Sequence, residues 1–167
     1  MAEDLRSVIG VAVVVVFMIL AASRPWEALF PAKPEEPEAG CHVLPLPENG
    51  AVWVYSGAPR TSPLTLSTGA GANYFVKFED ETSHAPIIAF FIYGKSTIEA
   101  DVPVGTYVMK YAIGKDWCGI NDLFGPDTYA NRAPKALTFT IDSGHTIELA
   151  RRRGGNLPVD EIKRHDF

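Results

Sequence analysis

Beyond residue 50, hydrophobic and polar positions alternate through several short stretches. The clearest lies within Asp101 to Pro126, DVPVGTYVMKYAIGKDWCGINDLFGP. Tyr107, Met109, Tyr111 and Ile113 fall on one face, and Thr106, Val108, Lys110 and Ala112 on the other. A period of two built from β-branched and aromatic residues predicts a strand. Pro103 cannot donate a ladder hydrogen bond and suits a strand end. Gly105 supplies the freedom a turn needs, and Gly114 closes the pattern. Trp117, Ile120, Leu123 and Phe124 then form an apolar loop ended by Gly125-Pro126. Such side chains do not stay in water, so the loop is expected to fold back over an edge of the core.

The same reading predicts strands at Val52 to Tyr55, Pro63 to Thr68 and Asn73 to Glu79, the last with Tyr74, Val76 and Phe78 on one side and Lys77 and Glu79 on the other. Ile87 to Tyr93, IIAFFIY, is apolar on both faces and reads as a central strand covered on both sides. Gly94-Lys95-Ser96 turns the chain into Thr97 to Val102. Strands at Ala136 to Ile141 and His145 to Ala150 flank Asp142-Ser143-Gly144, a hairpin signal. Leu137, Phe139, Ile141, Ile147 and Leu149 would then face the core. The polar tail, 151–167, reads as either a short edge strand or a surface arm. About seven or eight short strands argue for an all-β antiparallel sandwich occupying 51–150.

The N-terminus has a different pattern. After a short tail, 1–7, the run VIGVAVVVVFMILAA from Val8 to Ala22 has no charged or strongly polar residue. With Ser7 and Ser23 it spans 17 residues, about 25 Å as a helix, at the short end of a bilayer span. A cleavable leader would carry a basic opening, but MAEDLR sets Glu3 and Asp4 against Arg6. The run is apolar all round, unlike an amphipathic soluble helix. It is expected to be a single transmembrane signal-anchor over 8–23, with Trp26 at the interface. Glu38-Ala39-Gly40-Cys41 resembles a lipobox ending but lies about 20 residues past the apolar run, which argues against lipidation. Residues 24–50 read as a linker, with PAKPEEPEAG extended and self-repelling. Arg24 and Lys33 after the span lean toward a cytoplasmic domain; a short tail before a single apolar run leans the other way.

The segment Val102-Pro103-Val104-Gly105-Thr106-Tyr107 with Tyr111, following FVKFED and a second hydrophobic strand, resembles the end of a prealbumin-type or Cna-B-type β-sandwich module. The likeness covers about residues 73 to 113 and concerns the fold. It implies a structural or interaction unit at a cell surface, without catalysis, and so favours the extracytoplasmic side. GANYFVKF followed by DLFGPDTY is similar to stretches in bacterial membrane-anchored proteins of unknown role, a likeness that carries no activity.

Composition narrows the functional classes. The formal net charge of −5 and the lack of a basic face exclude nucleic acid as the expected partner. Two cysteines, Cys41 and Cys118, are too few for a disulfide framework or a zinc site. Outside the cytoplasm they could bond to each other; otherwise they are two thiols, one packed beside Trp117. His42, His84, His145 and His165 are scattered without metal-ligand spacing, and His145 reads as a core-edge histidine. Gly94-Lys95-Ser96 lacks the rest of a phosphate loop, since position 89 is Ala89 and no helix follows. No Ser, His and Asp set converges, so no enzyme, cofactor or metal is expected.

Asp116, Asn121, Asp122 and Asp127 crowd the aromatic loop but fit no cation-loop spacing. Trp117, Phe124 and Tyr129 beside Asp122 and Asp127 form either a partner or ligand patch or a loop folded on its own core. Arg151-Arg152-Arg153 would meet an acidic partner or lipid headgroups, or cap a solvated strand end. The chain is therefore expected to be a membrane-anchored, non-enzymatic interaction or scaffolding subunit of a bacterial envelope assembly, engaging another envelope protein. The alternative is an extracytoplasmic small-ligand or glycan-binding module using the loop around Trp117.

Overall fold

The computed structural model describes residues 40–149 and 159–167. The apolar run 8–23, most of the stretch 24–50 and Arg151-Arg152-Arg153 lie outside the described residues. Within the described residues no helix is long and apolar enough to cross a membrane.

Strands dominate those residues: β1 (Val52–Val54), β2 (Arg60–Thr68), β3 (Asn73–Asp80), β4 (Pro86–Ile92), β5 (Thr97–Pro103), β6 (Gly105–Gly114), β7 (Tyr129–Arg132), β8 (Leu137–Phe139), β9 (His145–Leu149) and β10 (Asp160–Ile162). Single 3-10 turns occur at Gly125–Asp127 and Arg164–Asp166. The larger sheet runs β1-β4-β3-β6-β7-β10, and β8 also pairs with β6. Its strands pair antiparallel throughout. The smaller sheet runs β5-β2-β9, antiparallel between β2 and β5 and parallel between β2 and β9. The fold is all-β and sandwich-like.

Alternation builds two apolar layers. Tyr74, Val76 and Phe78 of β3, Ile88, Phe90 and Ile92 of β4, and Tyr107 and Met109 of β6 pack in one cluster with Leu64, Leu66, Ile98, Val102 and Leu149 of the smaller sheet. Tyr111 and Ile113 continue the β6 stripe against that cluster. The opposite face of β4 contributes Ala89 and Phe91, and those of β3 and β6 contribute Phe75 and Ala112, to a second cluster. β4 is thus covered on both sides, as its unbroken apolar run requires.

Two expectations need correction. The segment around Asp142-Ser143-Gly144 does not make a hairpin. β8 pairs with Gly105–Tyr107 of β6, whereas β9 pairs parallel with β2 in the other sheet. The chain crosses between sheets here, with the Ser62 hydroxyl donating to the Ser143 carbonyl at 3.3 Å. A Cβ at Gly144 would come within 2.8 Å of the Pro63 carbonyl oxygen. Ile141 lies on this crossing and is 68% exposed rather than in the core. The second correction concerns Gly105, which does not take a positive φ. It leaves room for the ring of Tyr107, which a Cβ would overlap, while the Tyr107 hydroxyl donates to the Val104 carbonyl at 3.0 Å.

β7 and β10 add to the expected strands. β7 buries Ala130 and Asn131 together, which masks the period of two. β10, within the polar tail, pairs with β7 as an edge strand.

Candidate functional site: the outer face of the large sheet

The second apolar layer is a lid of irregular chain on the outer face of the large sheet. A Cβ at Gly114 would overlap Phe124, so a glycine at the end of β6 is what lets the loop return over the strand. Within the loop, Cys118 N donates to Leu123 O and Leu123 N to Gly119 O, each at 2.7 Å. The Thr128 hydroxyl accepts from Phe124 N at 3.0 Å and donates to Gly125 O at 2.7 Å. These bonds satisfy a turn-rich backbone that no sheet partner serves. The Trp117 ring sits 5.0 Å from Phe91, 5.3 Å from Phe75 and 5.4 Å from Phe124, centroid to centroid.

The second support of the lid is the stretch 40–50, read from the sequence as the end of a linker. Cys41 is disulfide-bonded to Cys118. Leu44 N donates to Trp117 O at 2.7 Å, the Tyr93 hydroxyl to Pro47 O at 2.9 Å, and Tyr93 N to Asn49 Oδ1 at 2.8 Å. The folded body therefore takes in these residues as well as 51–149.

Of the aromatic patch, the two loop rings lie inside, as in the reading of a loop folded on its own core. Trp117 is 4% and Phe124 3% exposed, both in the second cluster. Rings of that size, ringed by other aromatics, belong to the core. Tyr129 is half-buried on β7, and Asp122 and Asp127 are exposed. Among the described residues no group of three His, Cys, Asp or Glu side chains could hold a metal ion. His145 is a satisfied core-edge residue: its Nε2 lies 2.8 Å from the Thr138 carbonyl and its ring 4.5 Å from that of Phe139.

The C-terminal arm brings in what the sequence reading missed. Beyond β10, Phe167 lays its ring 5.9 Å from Phe75. Beneath the arm, Lys77 and Lys110 stand directly opposite each other across β3 and β6. Like charges in that position repel, and Glu79 resolves the conflict. One of its oxygens lies 2.8 Å from Lys77 Nζ and the other 2.9 Å from Lys110 Nζ. Lys77 Nζ also sits 4.6 Å from the Phe167 ring centroid, and Lys110 Nζ donates to Asp166 O at 2.7 Å.

The Glu79 side chain is 8% exposed and each lysine 14%. Burial alone would raise the Glu79 carboxyl, but the hydrogen bonds and charges of Lys77 and Lys110 outweigh it and hold the group below its usual range. Burial lowers Lys77, the Glu79 contacts oppose that shift, and Lys110 adds to it. No sequence signal separates this cluster from an ordinary solvated face, because Lys-x-Glu alternation on a strand looks the same in both.

Between the loop and the arm lies a cleft of about 320 Å³, lined by Phe75, Leu123 and Phe167 on the apolar side and by Lys77, Arg164 and His165 on the polar side. Tyr55 and Ile120 stand at it as well, both exposed. Arg164 Nη1 reaches Asp122 Oδ1 at 3.6 Å.

Because Glu79 has a depressed pKa in the folded chain, its contribution to stability is present above the unfolded-state pKa. It is lost as pH falls through the folded value. Glu79→Gln is expected to cost about 2 kcal/mol near neutrality, less than a fully buried pair because both ammonium groups reach water. The variant should also flatten the acid side of a plot of Tm against pH. An unchanged acid limb would show that other carboxylates govern it.

The geometry defines a class: an all-β two-sheet domain whose outer face carries a disulfide-pinned aromatic lid and a cleft edged by Lys77, Arg164 and His165. The comparisons go no further, since no protein-family model, curated protein or solved structure matches the chain.

Proposed function

We propose that the chain is a tethered interaction module: a single-span anchor at 8–23, a Pro/Glu-rich stalk, and an Ig-like or prealbumin-like sandwich on the extracytoplasmic side. It engages another protein of a bacterial envelope assembly and performs no catalysis. The observation that carries this reading is the Cys41–Cys118 bond, which clamps the end of the stalk to the lid. Disulfides persist in oxidising compartments, and a clamp at the stalk's junction suits a domain held at a distance from its tether. The Tyr107 hydroxyl bonded to a carbonyl three residues upstream is similar to the tyrosine corner of Ig-like sandwiches and supports that reading. Beside the clamp, Val43, Leu44, Leu46 and Ile120 are exposed, an apolar complement suited to a protein partner.

A topology reporter fused after Phe167, combined with thiol labelling of intact cells, tests the reading. The expected result is an extracytoplasmic reporter and a Cys41–Cys118 pair that reacts only after reduction. A cytoplasmic reporter, or freely labelled thiols, would overturn it.

A further inference from the structure

The open edge of β1 is a pairing surface, and we propose that it takes β1 of a second copy of this chain, antiparallel, with Trp53 opposite Trp53. β1 ends the large sheet, and among the described residues β4 is the strand paired with it. Its bonds to β4 come from alternate residues: Ala51 O accepts from Phe91 N at 2.9 Å and Tyr55 N donates to Ile87 O at 3.0 Å. By that alternation Val52 and Val54 turn their N–H and C=O groups away from β4, toward the open side. Both valines share the inter-sheet face with their partners Phe90 and Ile88, yet they are 40% and 51% exposed.

Charge selects the occupant. The other outer strands carry acid: β5 exposes Glu99 and Asp101, β9 exposes Glu148, and β10 exposes Asp160 and Glu161. Charged side chains blunt an edge against pairing. β1 has neither charge nor proline, and its register with β4 is unbroken. A second copy brings the same acidic edges, and at a net charge of −5 their approach is opposed. Its own β1 is the edge that fits.

The pairing is self-complementary. About a two-fold axis between the two Trp53 residues, Val52 of each copy exchanges both backbone bonds with Val54 of the other. The valines then form β-branched cross-strand pairs. The tryptophans meet at the non-hydrogen-bonded position, where side chains approach most closely. Trp53 is half-buried and steadied by Phe75, 5.2 Å away centroid to centroid. The axis stands perpendicular to the sheet, so both lids, each with its Cys41, face the same way. That arrangement suits two chains tethered to one surface, but the pairing itself uses β1 alone. So short an edge buries less than the about 1,200 Å² at which stable interfaces begin, so the dimer is reversible.

Register-specific crosslinking tests the pairing. Full-length chains carrying Val52→Cys are mixed with chains carrying Val54→Cys in density-matched detergent and oxidised mildly. Cys41 and Cys118 are bonded to each other and do not compete. Positions 52 and 54 of opposite copies would lie about 5.5 Å apart, within disulfide reach, and like positions diagonally at about 7–8 Å. The mixed disulfide is expected to form at least about tenfold faster than either like pair. In sedimentation equilibrium the parent chain should associate with a Kd below about 1 mM. Val52→Lys should weaken that at least about tenfold, or about 1.4 kcal/mol. Val104→Lys, at a comparably exposed valine outside β1, should not. Val54→Lys decides the matter if Val52→Lys unfolds the domain. Disulfides in statistical proportion, association indifferent to the β1 lysines, as an anchor-driven dimer would give, or a monomer up to about 1 mM would each overturn the pairing. So would a β1 edge that only a different protein covers. The topology reporter reads the tether separately, so the two readings fail independently.

Discussion

Trp117→Ala is expected to lower the stability of the domain by about 3–5 kcal/mol, the range for removing a large buried aromatic side chain. The ring is 4% exposed and lies within 5.4 Å, centroid to centroid, of Phe75, Phe91 and Phe124. Truncation removes the centre of the second apolar cluster, and the surrounding rings cannot all move in. Phe75 and Phe91 belong to β3 and β4, whose opposite faces are committed to the inter-sheet core. Phe124 is positioned by Gly114 and by the Thr128 bonds. Relaxation is therefore limited to the loop itself, and a cavity remains. Urea unfolding monitored by circular dichroism measures the loss. A change within about 0.5 kcal/mol is what a surface substitution gives. It would return Trp117 to the role of an exposed ligand platform. The conservative Trp117→Phe should recover much of the loss, because an aromatic ring still fills most of the space.

Much of the strand pattern was legible because it is local. Tyr107, Met109, Tyr111 and Ile113 share a face by parity alone, and IIAFFIY implies cover on both sides wherever it sits. What parity does not encode is which sheet a strand joins. Asp142-Ser143-Gly144 has the composition of a hairpin turn and also of a corner between sheets; the choice is made by Pro63 and Ser62, some eighty residues earlier in the chain. β7 escaped notice because Asn131 is buried where the period calls for an apolar residue. The aromatic loop was legible as apolar but ambiguous between lid and platform, since burial of Trp117 depends on Phe75 and Phe91 from distant strands. The cleft was illegible for a similar reason. Lys77, Arg164 and Phe167 meet only because β10 pairs with β7.

Breaking the Cys41–Cys118 bond is expected to cost about 2–4 kcal/mol, mainly through the unfolded chain. The bond joins residues 77 apart in sequence, and closing a loop of that length removes a large share of the denatured ensemble's freedom. The chain-entropy estimate is about 4.5 kcal/mol, which real bridges tend to undershoot. The native state loses less, because Leu44 N still donates to Trp117 O and Tyr93 still holds Pro47 and Asn49. Stretch 40–50 should therefore stay docked in the folded protein while global stability falls. A mutational cycle separates a covalent link from two packed thiols. If the bond is present, Cys41→Ser and Cys118→Ser each abolish the same link, so the double variant costs about as much as either single one. If the sulfurs were merely buried neighbours, the two costs would add more nearly independently. Reductant should lower the Tm of the parent protein and leave the double variant unmoved. An unchanged parent Tm under complete reduction would mean that the lid is held by its hydrogen bonds and rings alone, and the clamp at the stalk's junction would carry no energetic weight.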